Sequence, residues 1–389
     1  MAALDWEVLH SGVNVFCRVC HPDYAWVPSF LSEKSIPYIY YLDDNFWCIQ
    51  GQSELAVFYR SAEVVSTLDA FVRGSALIIT HTPTLFEFIR KRFPSLRCEL
   101  LAAPFDSDLA AGLVDKEGGD NSRDFVVGYA GGYRAEEFDI IEQVVMDLAG
   151  RRPDIRFEFI GGVSSRLRQL ESVQWFPGFS DYQEFIKFKI SRRWSLGLAP
   201  LLDSPFNASK TNNKFREYGG CGIPGLYSDV LPYKDCVEHG VTGYLTGNDV
   251  ESWVSSIVYA ADHAGEGRSI SRSAMQYVRE RYSHRAIASS WLAVIKDVPL
   301  ASSTRGGGAK SLKLRFNYMK YHYLHKQVAN ALEVKAASDV ALYRRRLYEQ
   351  LHYWFLRYKV RKFAFALLCV LGIFALLNIN AYLLLELFS

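Results

Sequence analysis

Ten short apolar runs, rich in β-branched and aromatic residues, recur through the first 250 residues, with helix-length segments between many of them. Four fall early (VNVFCRV, PYIYYL, ALIIT, CELLAA) and six later (DFVVGYA, IRFEFIGG, VQWFPG, WSLGLAPL, IPGLYS, GYLTG). This alternation predicts βαβ units on parallel sheets, because a parallel neighbour can be reached only by a crossover, usually a helix. The stretches Ser53 to Phe71, Thr84 to Arg92, Glu136 to Ala149 and Gln183 to Ile190 supply helical or connecting segments. The expected fold class is therefore α/β, with one parallel sheet per series.

Between the two series lies DKEGGDNSRD, a polar, glycine-containing stretch that reads as a connector. The expected organisation is a short first domain over 1–106, a linker over 107–122 and a second domain over 123–298, completed by the strandless helical stretch from Val250 to Val298. The segment ASSTRGGGAKS places three consecutive glycines where neither helix nor strand would retain them, so 299–311 is expected to be a flexible break. No repeat at a fixed period is apparent. At 49% apolar and 22% charged residues the 389-residue chain has ample surface to bury, which excludes disordered, collagen-like and coiled-coil classes.

The net charge of +2 excludes the pronounced basic excess of a dedicated nucleic-acid binder, so no nucleic-acid partner is expected. That average hides an asymmetry. From Lys310 to Lys362 there are 13 Lys or Arg against Glu333, Asp339 and Glu349, a local net of +10, which leaves the first 309 residues near −7. The collar over 312–362 is helical in pattern, basic and aromatic; after it, Phe363 to Leu385 carries no charge, about the length needed to cross a bilayer as a helix. Arg357, Lys359, Arg361 and Lys362, interleaved with Tyr353, Trp354, Phe355 and Tyr358, precede the run as they would at a cytoplasmic headgroup interface. The segment 363–389 is thus expected to be a membrane anchor, spanning the bilayer or lying in its interface, with a buried core helix as the bland alternative. Met1 to Gly12 has Asp5, Glu7 and no basic residue, which predicts a body that stays on the cytoplasmic face with membrane lipid as a partner.

Seven cysteines, at 17, 20, 48, 98, 221, 236 and 369, are an odd number in a chain without an export signal, so reduced thiols are expected. Cys17-Arg-Val-Cys20-His21 matches the spacing of covalent haem attachment, but VNVFCRVC reads as a strand in which the thiols are small apolar fillers.

In open parallel sheets ligands bind beyond the carboxyl ends of strands. The residues placed there are Asp43 and Asp44 after PYIYYL, His81 after ALIIT, Gly131 to Arg134 after DFVVGYA, and the segment after WSLGLAPL. Neither GxGxxG nor GxxxxGK[ST] occurs, which removes the main support for a dinucleotide oxidoreductase or a P-loop NTPase. In Ala130-Gly131-Gly132-Tyr133-Arg134 the glycines admit close approach of an anion, the next helix offers its positive end, and Arg134 adds charge. Lys210, Lys214 and Glu217 recur at i, i+4 and i+7, a spacing that puts two ammonium groups and a carboxylate on one helical face. Two cations suit a diphosphate, and a carboxylate can accept two ribose hydroxyls.

Over residues 123–297 the succession GYAGG, IRFEFIGG, VQWFPGF, LGLAPLLDSPFN, KTNNKFREYGGCGIP, YSDVLPYKDCVEHGVTGYLTGN and the Trp253 region resembles the GT-B glycosyltransferases of the group 1 or family 4 type. The resemblance implies two Rossmann-like domains and a nucleotide-diphosphate sugar as donor substrate, held mainly by the second domain, with no cofactor and no metal. Glu217 matches the glutamate that binds ribose; Lys210, Lys214 and Arg134 are candidates for the diphosphate, with amides at Gly131 and Gly132, and Ser228 and Tyr233 nearby. It also implies retaining transfer, in the pattern of these enzymes, to a lipid-linked or surface-polysaccharide glycan. His81 could be the acceptor-side histidine or a hydrogen-bonded structural residue, and Asp43 and Asp44 a base, an acceptor guide or loop-ordering groups.

Two departures stand out. Counting back eight from Glu217 gives Ser209 where many retaining members carry a first glutamate. The first domain is also abbreviated and lacks the family's glycine-rich loop, although YYLDDNFW is similar to a segment of some bacterial polysaccharide transferases. These departures leave open a catalytically silent scaffold of the same fold, or a partner subunit that supplies missing N-terminal elements.

Overall fold

The computed structural model describes residue 9, residues 12–114 and residues 124–299. All ten apolar runs contribute strands. The first series runs through β1 (Asn14–Cys17), α1 (Val27–Glu33), β2 (Tyr38–Tyr41), α2 (Glu54–Arg60), α3 (Ala62–Gly74), β3 (Leu77–Thr80), α4 (Pro83–Arg92) and β4 (Cys98–Leu100). Its sheet is parallel in the order β1-β2-β3-β4, with Asn14 beside Tyr38, Ile39 beside Leu77 and Ile78 beside Cys98. The expected Ser53 to Phe71 segment divides at Ser61, whose extended backbone closes α2 and opens α3. Ser53 and Thr82 accept from the amides of Ala56 and Leu85, so each begins its helix with a satisfied cap.

The second series follows α5 (Ser107–Val114) and comprises β5 (Phe125–Gly131), α6 (Ala135–Arg151), β6 (Ile155–Gly161), β7 (Val173–Phe176), α7 (Tyr182–Ser191), β8 (Leu196–Ala199), α8 (Pro205–Ala208), α9 (Asn213–Gly220), β9 (Gly225–Ser228) and β10 (Tyr244–Thr246). Then come α10 (Val250–Asp262), α11 (Ala264–Tyr282) and α12 (His284–Ile295). The six strands are parallel in the order β10-β9-β8-β5-β6-β7. From β5 the chain steps outward to β6 and β7, then crosses back to place β8 on the other side of β5. That reversal opens a crevice at the carboxyl ends of β5 and β8, the usual ligand position in such sheets. Among the described residues the first sheet keeps its order without reversal. Strands β3, β8 and β9 are buried along their whole length, as expected where both faces of a parallel sheet are covered.

Two boundaries differ from the sequence expectation. The segment assigned to a linker starts as helix α5, because Leu109, Ala110, Leu113 and Val114 share an apolar face that packs into the cluster around Ile186, Ile190 and Tyr218. The last helix, α12, does not finish the second sheet: Ile295 and Val298 pack with Ile39, Leu77 and Ile79 of the first sheet, and Trp291 donates to the carbonyl of Ala102 at 3.0 Å. The apolar spacing Ile287, Trp291, Ile295, Val298 supplies the stripe that covers this face.

Both sheets belong to one compact unit. They are tied by Thr82, which donates to the carbonyl of Ser209 at 2.9 Å, by Asn45, which donates to the Ser209 hydroxyl at 3.4 Å, and by Arg216, which donates to the carbonyl of Pro104 at 2.5 Å. Among the described residues no helix is long and apolar enough to cross a membrane. The expected collar over 312–362 and anchor over 363–389 lie outside the described residues.

Candidate functional site

At the end of β5 the chain passes through Ala130 and Gly131 into the crevice. Lys214, in the first turn of α9, spans it and donates from Nζ to the carbonyl of Ala130, with Nζ 4.4 Å from the centre of the Tyr129 ring. A side chain at Gly131 would place its Cβ 3.1 Å from that ammonium and 2.9 Å from the Tyr129 hydroxyl. Gly131 thus keeps open the space the lysine occupies. At Gly132 a Cβ would meet nothing within 4 Å, so this glycine faces open space. Burial holds the Lys214 ammonium down at about 8 against the support of Glu217.

Glu217 lies one turn further along α9, 22% exposed at its side chain, and its Oε2 accepts from Lys189 Nζ at 2.7 Å. Lys189 comes from α7 and has no solvent exposure; its ammonium also lies 4.2 Å from the centre of the Phe185 ring. Arg216, between Lys214 and Glu217, points the other way and is buried, donating to Thr211, Asn212, Asn213 and Pro104. It fastens the start of α9 to the chain leaving the first sheet.

The three charges predicted on one helical face do not share a helix. α8 ends at Ala208 and α9 starts at Asn213, leaving Lys210 in the turn between them. Asn212 and Asn213 explain the break, since their side chains bond locally to Arg216 in place of continuing a helix. Lys210 nonetheless joins the same field: burial, then the like charge of Arg134, lowers it to about 8, while Glu137 and Asp44 act in the opposite sense. Its ammonium sits 4.7 Å from the centre of the Phe206 ring.

Arg134 occupies the N-cap position of α6 without capping it, and pairs at 3.2 Å with Glu137, whose side chain is only 6% exposed. The N-cap side chain thus bonds none of the first amides of α6, which start beside an exposed guanidinium. Ser228 and Tyr233 stand behind this surface. Ser228 is fully buried and accepts from the Leu201 amide at 2.8 Å, and Tyr233 is buried with its ring 5.0 Å from that of Tyr227. Ser228 is thus a scaffold group, whereas Tyr233, though buried, lies close enough to Arg134 and Glu137 to interact electrostatically with both.

On the first sheet, Asp43 is engaged through both oxygens by Arg18, which also lies 3.4 Å from Asp44. Burial, then the like charge of Asp43, raises the Asp44 carboxyl, opposed by Arg18, Lys210 and Arg134. Asp44 therefore feels cations from both sheets. His81 is packed between Tyr41, 4.6 Å away, and Trp291, 6.1 Å away, and its Nδ1 meets the carbonyl of Leu101 at 2.6 Å. Burial lowers its pKa, and Nε2 is enclosed with no hydrogen-bond partner among the described residues. This is the environment of a neutral packed imidazole.

Lys210, Lys214, Glu217, Arg134, Gly131, Gly132 and Asp44 thus share one region. Four contributing residues escaped the sequence reading: Arg18, Glu137, Lys189 and Arg216. Two signals were available. Arg18 directly follows the first strand, and Lys189 interrupts the apolar stripe of α7 formed by Phe185, Ile186 and Ile190. Among the described residues no group of three or more His, Cys, Asp or Glu side chains could hold a metal ion.

The two-sheet arrangement with its crevice at the β5/β8 reversal is the GT-B architecture, and solved glycosyltransferases share it. Sucrose-phosphate synthase from Thermosynechococcus elongatus superposes with a TM-score of 0.55 at 16% identity, covering 70% of each chain. Anabaena HepE, in complex with UDP and glucose, gives 0.51 at 15% identity over 71% of this chain and 76% of its own. A variant of S. aureus TarM, in complex with fondaparinux, α-GlcNAc-glycerol and UDP, gives 0.51 at 12% over 67% of this chain and 51% of its own. These likenesses establish the fold. No protein-family model and no curated protein matches the sequence.

Proposed function

We propose that this protein transfers a sugar from a nucleotide-diphosphate donor to a glycan acceptor. The observation that carries the reading is the grouping of Lys214, Lys210 and Arg134 around the β5 end, beside the start of α6, with Glu217 one helical turn beyond Lys214. Loss of a nucleoside diphosphate from a sugar develops negative charge on the departing phosphates, and preorganised cations and helix-terminal amides in a water-poor crevice stabilise it. Glu217, with Oε2 already fixed, has Oε1 for ribose hydroxyls. Asp44 is the acceptor-side carboxylate we assign to orient the incoming hydroxyl, because Asp43 is committed to Arg18. The ligands of the compared structures, UDP and UDP-glucose on HepE and UDP on TarM, support a UDP-sugar as the first donor to try.

We further assign the acceptor to lipid-linked or surface polysaccharide, met at the cytoplasmic membrane face, with a retaining, metal-independent outcome. The basic aromatic collar and the apolar end of the sequence support the location, since polybasic segments concentrate at anionic headgroups. Calorimetry of the detergent-solubilised chain against UDP-, GDP-, ADP- and dTDP-sugars tests the donor site: one nucleotide class should bind, and binding by none would overturn the reading. Ser209 favours a second reading, a silent scaffold of the same fold. The position where many retaining relatives carry an acid is here fully buried and spent on contacts to Thr82 and Asn45. Donor hydrolysis or transfer in purified membranes, with and without co-expressed partners, separates the two.

A further inference from the structure

We infer that Lys189 is a positioning residue that holds the Glu217 carboxylate turned so that the site selects ribose over deoxyribose. The inference rests on the proposed nucleotide site and deepens it. Lys189 has no exposure, yet it carries an ammonium whose hydrogen-bond acceptor among the described residues is Glu217 Oε2, at 2.7 Å. The ring centres of Phe185 and Tyr218 lie 4.2 and 5.6 Å from the same nitrogen. An ammonium enclosed by aromatic faces has no water to turn to, so it and the carboxylate fix one another. Glu217 remains 22% exposed, and Oε1 takes no hydrogen bond from the described residues. A carboxylate with one oxygen anchored and one free presents a single directed acceptor to the crevice, and that acceptor recognises a vicinal diol in which both hydroxyls donate. Had the lysine served only packing, an apolar side chain of similar length would fill the same space at less desolvation cost.

The test measures binding of UDP, GDP and ADP, and of their 2′-deoxy counterparts, to the full chain in detergent. Taking the ratio of the two affinities cancels ionisation of the phosphates. In the wild type the ribonucleotide that binds should exceed its deoxy counterpart by about tenfold, the scale of one hydrogen bond to a charged group. Lys189→Met should bring the ratio close to one by weakening the ribonucleotide more than the deoxynucleotide, which has only its 3′-hydroxyl to lose, and Lys189→Arg should restore most of it. A folded Lys189→Met protein that keeps the wild-type ratio would overturn the inference while leaving the nucleotide site standing. Should Lys189→Met not fold, Lys189→Gln decides, since its shorter neutral amide fills much of the same space without an ammonium to anchor Oε2: a folded Lys189→Gln protein with a ratio near one supports the inference, and one that keeps the wild-type ratio overturns it. No binding of any ribonucleotide by the wild type would remove both this inference and the donor site.

Discussion

Lys214 donates its ammonium proton to the carbonyl of Ala130, a residue 84 positions earlier in the chain, and so closes the crevice between α9 and the end of β5. A desolvated cation held against a strand end is costly to keep, because burial opposes its charge. Its retention makes sense where an anion will bind. Lys214→Met should therefore lower affinity for the binding nucleotide by about tenfold to a hundredfold. The same change should raise the unfolding midpoint at pH 7 by about 2 °C or more, since it removes the desolvation cost. Calorimetry and thermal unfolding of one variant check both.

The pH dependence follows from the same groups. Lys210 and Lys214 both titrate near 8, against an ordinary 10.5. Nucleotide affinity should hold below pH 7.5 and fall as pH rises through 8 and the two ammonium groups discharge. Stability runs the other way. Between about 8 and 10.5 the unfolded chain holds lysine protons that the folded chain has released, so the contribution of these two groups rises with pH across that window. Affinity and denaturant midpoints measured from pH 6.5 to 9.5 should diverge.

Glu217→Ala is the obvious probe of the donor site, but it leaves Lys189 buried without its acceptor. Removing one partner of such a pair costs about 3 kcal/mol or more. Glu217→Ala should thus lose both nucleotide binding and several degrees of thermal stability, whereas Glu217→Gln keeps an acceptor for Lys189 and should be the less destabilised of the two. Midpoints of both variants equal to that of the wild type would show that the pair contributes nothing to the fold.

Trp291→Ala should loosen the first sheet rather than the second. The indole lies over His81 and donates to Ala102, and the helix that carries it covers Ile39 and Ile79. Truncation of this partly buried tryptophan should cost up to about 3 kcal/mol. Hydrogen exchange should accelerate in β1 to β3 with β5 to β9 unchanged.

Removal of residues 310–389 should release the body from membranes in a sedimentation assay, given the +10 collar and the uncharged run from Phe363 to Leu385. A truncated protein that still pellets with vesicles would place the membrane contact elsewhere in the chain.

Much of this fold was legible in the sequence because parallel strands are buried on both faces and therefore appear as apolar runs whatever surrounds them. IRFEFIGG and WSLGLAPL announce β6 and β8 without help from the rest of the chain. The α/β class, the two series, and the placing of Lys210, Lys214, Glu217 and Arg134 at strand ends follow from that local rule. What the sequence could not settle were relations between residues far apart. The turn that takes Lys210 off the helix of Lys214 and Glu217 depends on Asn212 and Asn213 bonding to an arginine that itself reaches Pro104. The passage of α12 back to the first sheet depends on an apolar face whose neighbours only the assembled sheet defines. The pairing of Lys189 with Glu217 joins two helices 28 positions apart, and neither residue signals the other locally. Periodicity and burial are properties of short segments and are written in the chain. The partner of a buried charge is chosen by packing, and only the tertiary structure decides it.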